Sequence, residues 1–131
     1  MYVFRFEHKT KSHTTTKTNK VINVGPYSDN MYKHIDKDKY ISMLREHGNA
    51  VTGHNNLPMD IKWAVPAQGM RNYFCACDSV NALKKWFRGY VGLLRANGFV
   101  LVRYEVESMV MGDSGKQCFF HKNKIIGKKI V

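Results

Sequence analysis

An α+β fold is what this sequence predicts: one domain, residues 1–131, built on a mostly antiparallel twisted sheet with two helices and a long central loop. Three observations carry that expectation. Strand-like segments outnumber helical ones. They do not alternate one for one with helices, as a doubly wound parallel sheet requires. The last two strands, Phe99 to Glu107 and Gln117 to His121, flank a glycine-bearing turn and can form an antiparallel hairpin. The chain has 131 residues, 44% of them apolar, enough for a modest core.

The first strand is Tyr2 to Glu7. Tyr2, Phe4 and Phe6 alternate with Val3, Arg5 and Glu7, so the strand has one aromatic face and one mixed face. Arg5 on the mixed face either meets solvent or lines a cleft. Lys9 to Lys20 holds four lysines, one histidine and no apolar or acidic residue. Such a stretch buries nothing, so residues 9–20 are expected to be a mobile basic loop or hairpin. Val21 to Val24 is a short returning edge strand, and Gly25-Pro26-Tyr27 makes a turn.

Asp36 to Glu46 reads as a helix. Asp36 can cap it, Tyr40, Met43, Leu44 and His47 share a side, and Gly48 ends it. Asn49 to Gly69 lacks a period and reads as a long surface loop containing His54, Pro58, Asp60 and Trp63. Tyr73 to Cys77 is a short strand. Asp78 or Ser79 then caps a second helix, in which Val80, Leu83, Phe87, Val91 and Leu94 form one apolar stripe. Lys84, Lys85, Arg88 and Arg95 occupy its other side. Gly89 and Gly92 weaken the helix and let another element approach, and Asn97-Gly98 stops it. In the strand that follows, Val100, Val102, Tyr104 and Val106 face the core. Residues 122–131 are a basic tail or edge strand, with Lys122, Lys124, Lys128 and Lys129 and no acid.

The net charge of +11 implies a field that attracts nucleic acid, phosphate-bearing ligands or acidic protein surfaces. Lys9, Lys11, Lys17, Lys20, Lys84, Lys85 and Arg88 are the candidate contacts for such a partner. No apolar run reaches the roughly 18 residues of a membrane span. Charges inside the short N-terminal apolar run argue against a signal peptide. The three cysteines, Cys75, Cys77 and Cys118, are an odd number, and the first two are too close in sequence to bridge, so reduced thiols are expected. A cytoplasmic chain follows. The one-residue spacer in Cys75-x-Cys77 is wrong for a zinc knuckle, and no metal is expected. No glycine-rich phosphate loop or nucleophile elbow is present. His54 with Asp60 is a candidate acid–base pair in a polar loop.

Several blocks together resemble a recurrent set of small proteins encoded by tailed phages. They are Phe4-Arg5-Phe6-Glu7, Gly25-Pro26-Tyr27, His54 with Pro58 and Asp60, Phe74-Cys75-Ala76, Ser79 to Phe87, Gly98 to Val106, and Gln117 to Phe120. The resemblance covers most of the chain but not Lys9 to Lys20. More distantly, the set is similar to a compact ADP-ribosyltransferase scaffold. That similarity implies NAD as a cofactor, with Arg5 on its ribose or phosphates and Tyr73 or Phe74 against the nicotinamide. It further implies Ser79 as an assisting group and Gln117 where a late-strand carboxylate is expected. Arg5, Ser79 and Gln117 are then the catalytic candidates. A glutamine supplies no negative charge to an oxocarbenium-like ribose, a deficit of about 3 kcal/mol.

Three functions are therefore in view. The first is a phage-type accessory protein that acts in the host cell. It would bind a host protein or protein–nucleic-acid complex through a basic surface, and inhibit or modify it. The second is an NAD-dependent transferase. The third is a non-specific nucleic-acid binder, whose affinity would fall steeply with salt.

Overall fold

A computed structural model describes residues 1–10, 12–14, 21–27, 36–47 and 73–131. Strand β1, Tyr2–His8, pairs antiparallel along its whole length with β5, Phe99–Val106, from Tyr2 opposite Glu105 to His8 opposite Phe99. Strand β8, Ile125–Ile130, lies on the far side of β5, with a register irregularity at Glu105 and Val106. A second sheet has the order β4, β7, β6, formed by Tyr73–Ala76, Cys118–His121 and Val110–Met111. Strands β2, Ser12–Thr14, and β3, Val21–Asn23, pair antiparallel as a separate ribbon. Every pairing among the described residues is antiparallel, and the α+β expectation holds.

The two larger sheets are joined. Phe4 and Cys77 exchange both backbone hydrogen bonds, each 2.8 Å, in an antiparallel bridge. Hydrogen bonding therefore runs from β8 through β5, β1, β4 and β7 to β6.

The expected hairpin between the last two strands does not form. Strand β5 is taken on both sides by β1 and β8, while β7 lies between β4 and β6. The glycine-bearing turn does close a hairpin, sealed by Gly112 N–H donating to the Gln117 carbonyl at 2.7 Å, but its first arm is the short β6. The chain thus crosses from one sheet to the other between Val106 and Val110.

β1 is covered on both faces. Val3 and Glu7 are fully buried and Arg5 nearly so, and Phe6 is buried on the opposite face. Period two sorts the core into two parts. One part, between sheet and helices, holds Phe6, Tyr40, Met43, Leu44, Cys75, Cys77, Leu83, Phe87, Leu94, Phe99 and Phe119. The other, between the two sheets, holds Val3, Ala76, Val102, Tyr104, Val106, Cys118 and Phe120. Each large apolar side chain buried in this way contributes roughly 1.5–3 kcal/mol.

Helix α1, Lys37–Glu46, begins at Asp36, whose carboxylate accepts from the Lys39 N–H at 3.2 Å. Tyr40, Met43 and Leu44 form its buried face. The second predicted helix is split. α2 is Val80–Trp86, capped by Ser79 Oγ, which accepts from the Ala82 N–H at 3.0 Å. α3 is Val91–Ala96. Between them Gly89 takes φ +89°, a left-handed conformation closed to an α-helix and free of steric penalty only for glycine. Leu83, Phe87 and Leu94 reach the same core from both pieces, so the apolar stripe survives the break. No helix among the described residues is long and apolar enough to cross a membrane.

Candidate functional site

The alternation of β1 places Arg5 and Glu7 on one face, and the register with β5 puts Tyr104 beside them. These side chains form a buried ionic cluster between the two sheets. Tyr104 donates its hydroxyl to Glu7 Oε2 at 2.7 Å. Arg5 Nε lies 3.2 Å from the same oxygen, and Lys128 Nζ from β8 lies 2.8 Å from Glu7 Oε1. Both cations sit at ion-pair distance, while Arg5 Nε and Nη1 and Glu7 Oε1 have no directed hydrogen-bond partner among the described residues. The charge attraction stands regardless, because it depends on distance more than on angle. Arg5 is 5% exposed and Glu7 0%. The Phe74 ring centroid lies 4.8 Å from the Arg5 guanidinium carbon. Burial, and then the Glu7 charge, raise the Tyr104 pKa well above the ordinary phenol value, so Tyr104 is a fixed hydrogen-bond donor.

Of the described residues proposed for a nucleotide cleft, the fold brings Phe74 against Arg5. Tyr73 points to the other face of the second sheet, with its ring 5.5 Å from Phe119 and 5.0 Å from His121. Gln117 is buried, and its Nε2 donates to Cys77 Sγ at 2.9 Å. Cys77 belongs to the core between sheet and helices, so Gln117 and Arg5 leave opposite faces of the sheet. Ser79 caps α2, its Oγ engaged by the Ala82 N–H. Arg5, Ser79 and Gln117 therefore do not share a cleft. His54 and Asp60, with Trp63, lie outside the described residues, as do Lys11, Lys17 and Lys20.

The cysteines are buried and unbridged. Burial pushes the Cys75 thiol up to about 11 and the Cys118 thiol up to about 12. Both are protonated at neutral pH, which disfavours nucleophilic and ligand roles. No group of three or more His, Cys, Asp or Glu among the described residues could hold a metal ion.

A second polar chain, unanticipated from sequence, crosses the helical side. Trp86 Nε1 donates to Tyr27 Oη at 2.6 Å, and Tyr27 Oη lies 2.9 Å from His47 Nδ1. Indole nitrogen only donates, so Tyr27 Oη is the acceptor in the first of these bonds, and the His47 tautomer sets the direction of the second. Burial lowers the His47 pKa, with Glu46 opposing. Tyr40 fixes the same turn by donating to the Pro26 carbonyl at 2.7 Å. The Gly-Pro-Tyr turn is thus bolted to α1 and α2, a contact set with no local signal.

On the outside, Lys84, Lys85, Arg88 and Arg95 are all exposed on α2, α3 and the turn joining them, and Lys9 is exposed at the end of β1. No acidic residue occurs from position 79 to position 104, nor from 114 to 131. Asp78 is exposed just before the α2 cap, and Glu46 accepts a hydrogen bond from Tyr90.

Together these features define a small cationic α+β protein with a buried ionic cluster and a stretch through α2 and α3 that contains no acidic residue. The chain belongs to the Bacteriophage T4 Y00F protein family, whose model matches residues 1–129, and it is therefore a phage protein. No curated protein and no solved structure matches it.

Proposed function

We propose that this phage accessory protein acts by binding, with its cationic helical surface docking on an acidic component of the host cell and inhibiting or modifying it. The observation that carries this reading is the distribution of charge. Lys84, Lys85, Arg88 and Arg95 stand exposed on consecutive short helices, in a stretch with no acidic residue to neutralise them. A surface of one sign speeds encounter with an oppositely charged partner and selects against partners of like charge.

The test is capture from host extract at low salt, comparing the wild type with the triple variant Lys84→Glu, Lys85→Glu, Arg88→Glu. These side chains are exposed, so the variant keeps its circular dichroism. A partner retained by the wild type and lost by the variant is expected. Equal recovery by both, or none by either, contradicts the reading. A nucleic-acid partner would reveal itself by sensitivity to nuclease and by a log-linear fall of affinity with salt. The transferase reading finds less support, because its candidate residues are divided between the two faces of a sheet. Incubation with NAD is expected to release no nicotinamide.

A further inference from the structure

From the buried ionic cluster we infer that Arg5 and Lys128 form a binding site for a small oxyanion, a carboxylate or a phosphate group. This site is separate from the helical surface, on the opposite side of the first sheet from the helices.

The charge balance is the first argument. Among the described residues, Arg5 and Lys128 bring two positive charges and Glu7 one negative charge, leaving the cluster one positive charge in excess. The remaining acids of the neighbouring strands do not correct it. Glu105 stands opposite Tyr2 in the register and so projects from the other face of the sheet. Glu107 is exposed and pairs with Lys124 at 3.7 Å. Arg5 and Glu7 lie out of water and Lys128 sits at the edge of the cluster, so an anion that docks beside Lys128 neutralises the excess.

The second argument is the unspent donor. Arg5 Nη1 is buried without a hydrogen-bond partner among the described residues, and the Arg5 side chain is only 6% exposed. Buried guanidinium N–H groups are normally satisfied, and an orphan marks a missing acceptor. The planar fork suits a two-oxygen acceptor better than a single carbonyl.

The third argument is rigidity. Phe74 covers the guanidinium from one side. A Cβ added at Gly25 would run into Arg5 Nη2, so glycine there lets the backbone approach the guanidinium closely. The group is held before any ligand arrives, which lowers the entropic cost of binding. Lys128, with its side chain 31% exposed, connects the site to the surface and has further N–H groups to offer.

The experiment titrates the full chain with inorganic phosphate and, separately, with acetate, in chloride buffer at constant ionic strength. The readouts are the arginine Nε–H resonance of Arg5 and the backbone amides in two-dimensional NMR. Saturable shifts confined to Arg5, Glu7, Tyr104, Lys128 and their neighbours are expected. The anion that saturates at the lower concentration identifies the preferred source. Lys128→Met, at a partly exposed position, should fold and weaken binding by about tenfold or more. Arg5→Lys, which keeps the charge and loses the fork, should abolish the site-confined shifts. Linear shifts spread over the exposed lysines, or isotherms unchanged in Lys128→Met, would overturn the inference.

Discussion

Glu7 shows most plainly how single residues are tied together here. It is fully buried and accepts from Tyr104 while facing two cations. Glu7→Gln keeps the shape and removes the only negative charge of the cluster. Breaking a buried pair in this way costs about 3–5 kcal/mol, which the midpoint of urea unfolding would report. A loss below about 1 kcal/mol would mean that the cluster is hydrated. Gly25→Ala tests the same clamp from the backbone side. The new methyl must displace an arginine held by Glu7 and Phe74, at a cost of about 1–3 kcal/mol. His47 supplies a pH dependence. Its folded pKa lies below the ordinary value of 6.5, chiefly through burial. The unfolded chain therefore binds the extra proton first, and stability falls as pH drops below 6.5 towards the lowered folded value. Urea midpoints at pH 7.5 and 5.5 should separate more for the wild type than for His47→Gln. An equal separation would assign the effect to other groups. Arg5 and Glu7 were legible as neighbours, because period two puts them on one face. Tyr104 and Lys128 were not, because they arrive from strands near the far end of the chain, and no local pattern announces them.

Helices and strands differ in how much of their placement local chemistry dictates. Asp36 caps the helix that the sequence assigns to it, and of the two candidates Asp78 and Ser79 it is Ser79 that caps α2, since a cap is settled within four residues. Ser79→Ala is expected to cost about 1 kcal/mol of stability, measured by thermal unfolding. A stability unchanged within error would show that the Ala82 N–H finds another partner. The break between α2 and α3 was half legible. Gly89 signalled weakness, but the unbroken apolar stripe argued for continuity, and the stripe is satisfied by both pieces. The last hairpin was misassigned for a related reason. Gly112 and Gly115 announce a turn without saying which strand enters it, and the two-residue β6 is too short to carry a period. β1 posed a third problem. Alternation marks a strand with one wet face, yet β1 is covered on both, by helices and by the second sheet. Arg5 could meet solvent or line a cleft until tertiary packing decided.

At the scale of the whole molecule, the antiparallel sheet separates two chemistries. One side holds a rigid buried ionic cluster, and the other carries the helices whose outer surface is cationic. The division also takes apart the transferase constellation, with Arg5 on one face and Gln117 on the other. Fold class followed from counting and ordering elements, whereas this division depends on register, and register is set by pairings between distant strands. The central claim is that the surface of α2 and α3 is where a partner docks. Hydrogen exchange of the chain alone and bound to its captured host partner tests that most directly. The account predicts that bound-state protection concentrates in residues 80–96. Protection confined to β8, or to the strands around Arg5, with residues 80–96 unchanged, would contradict it.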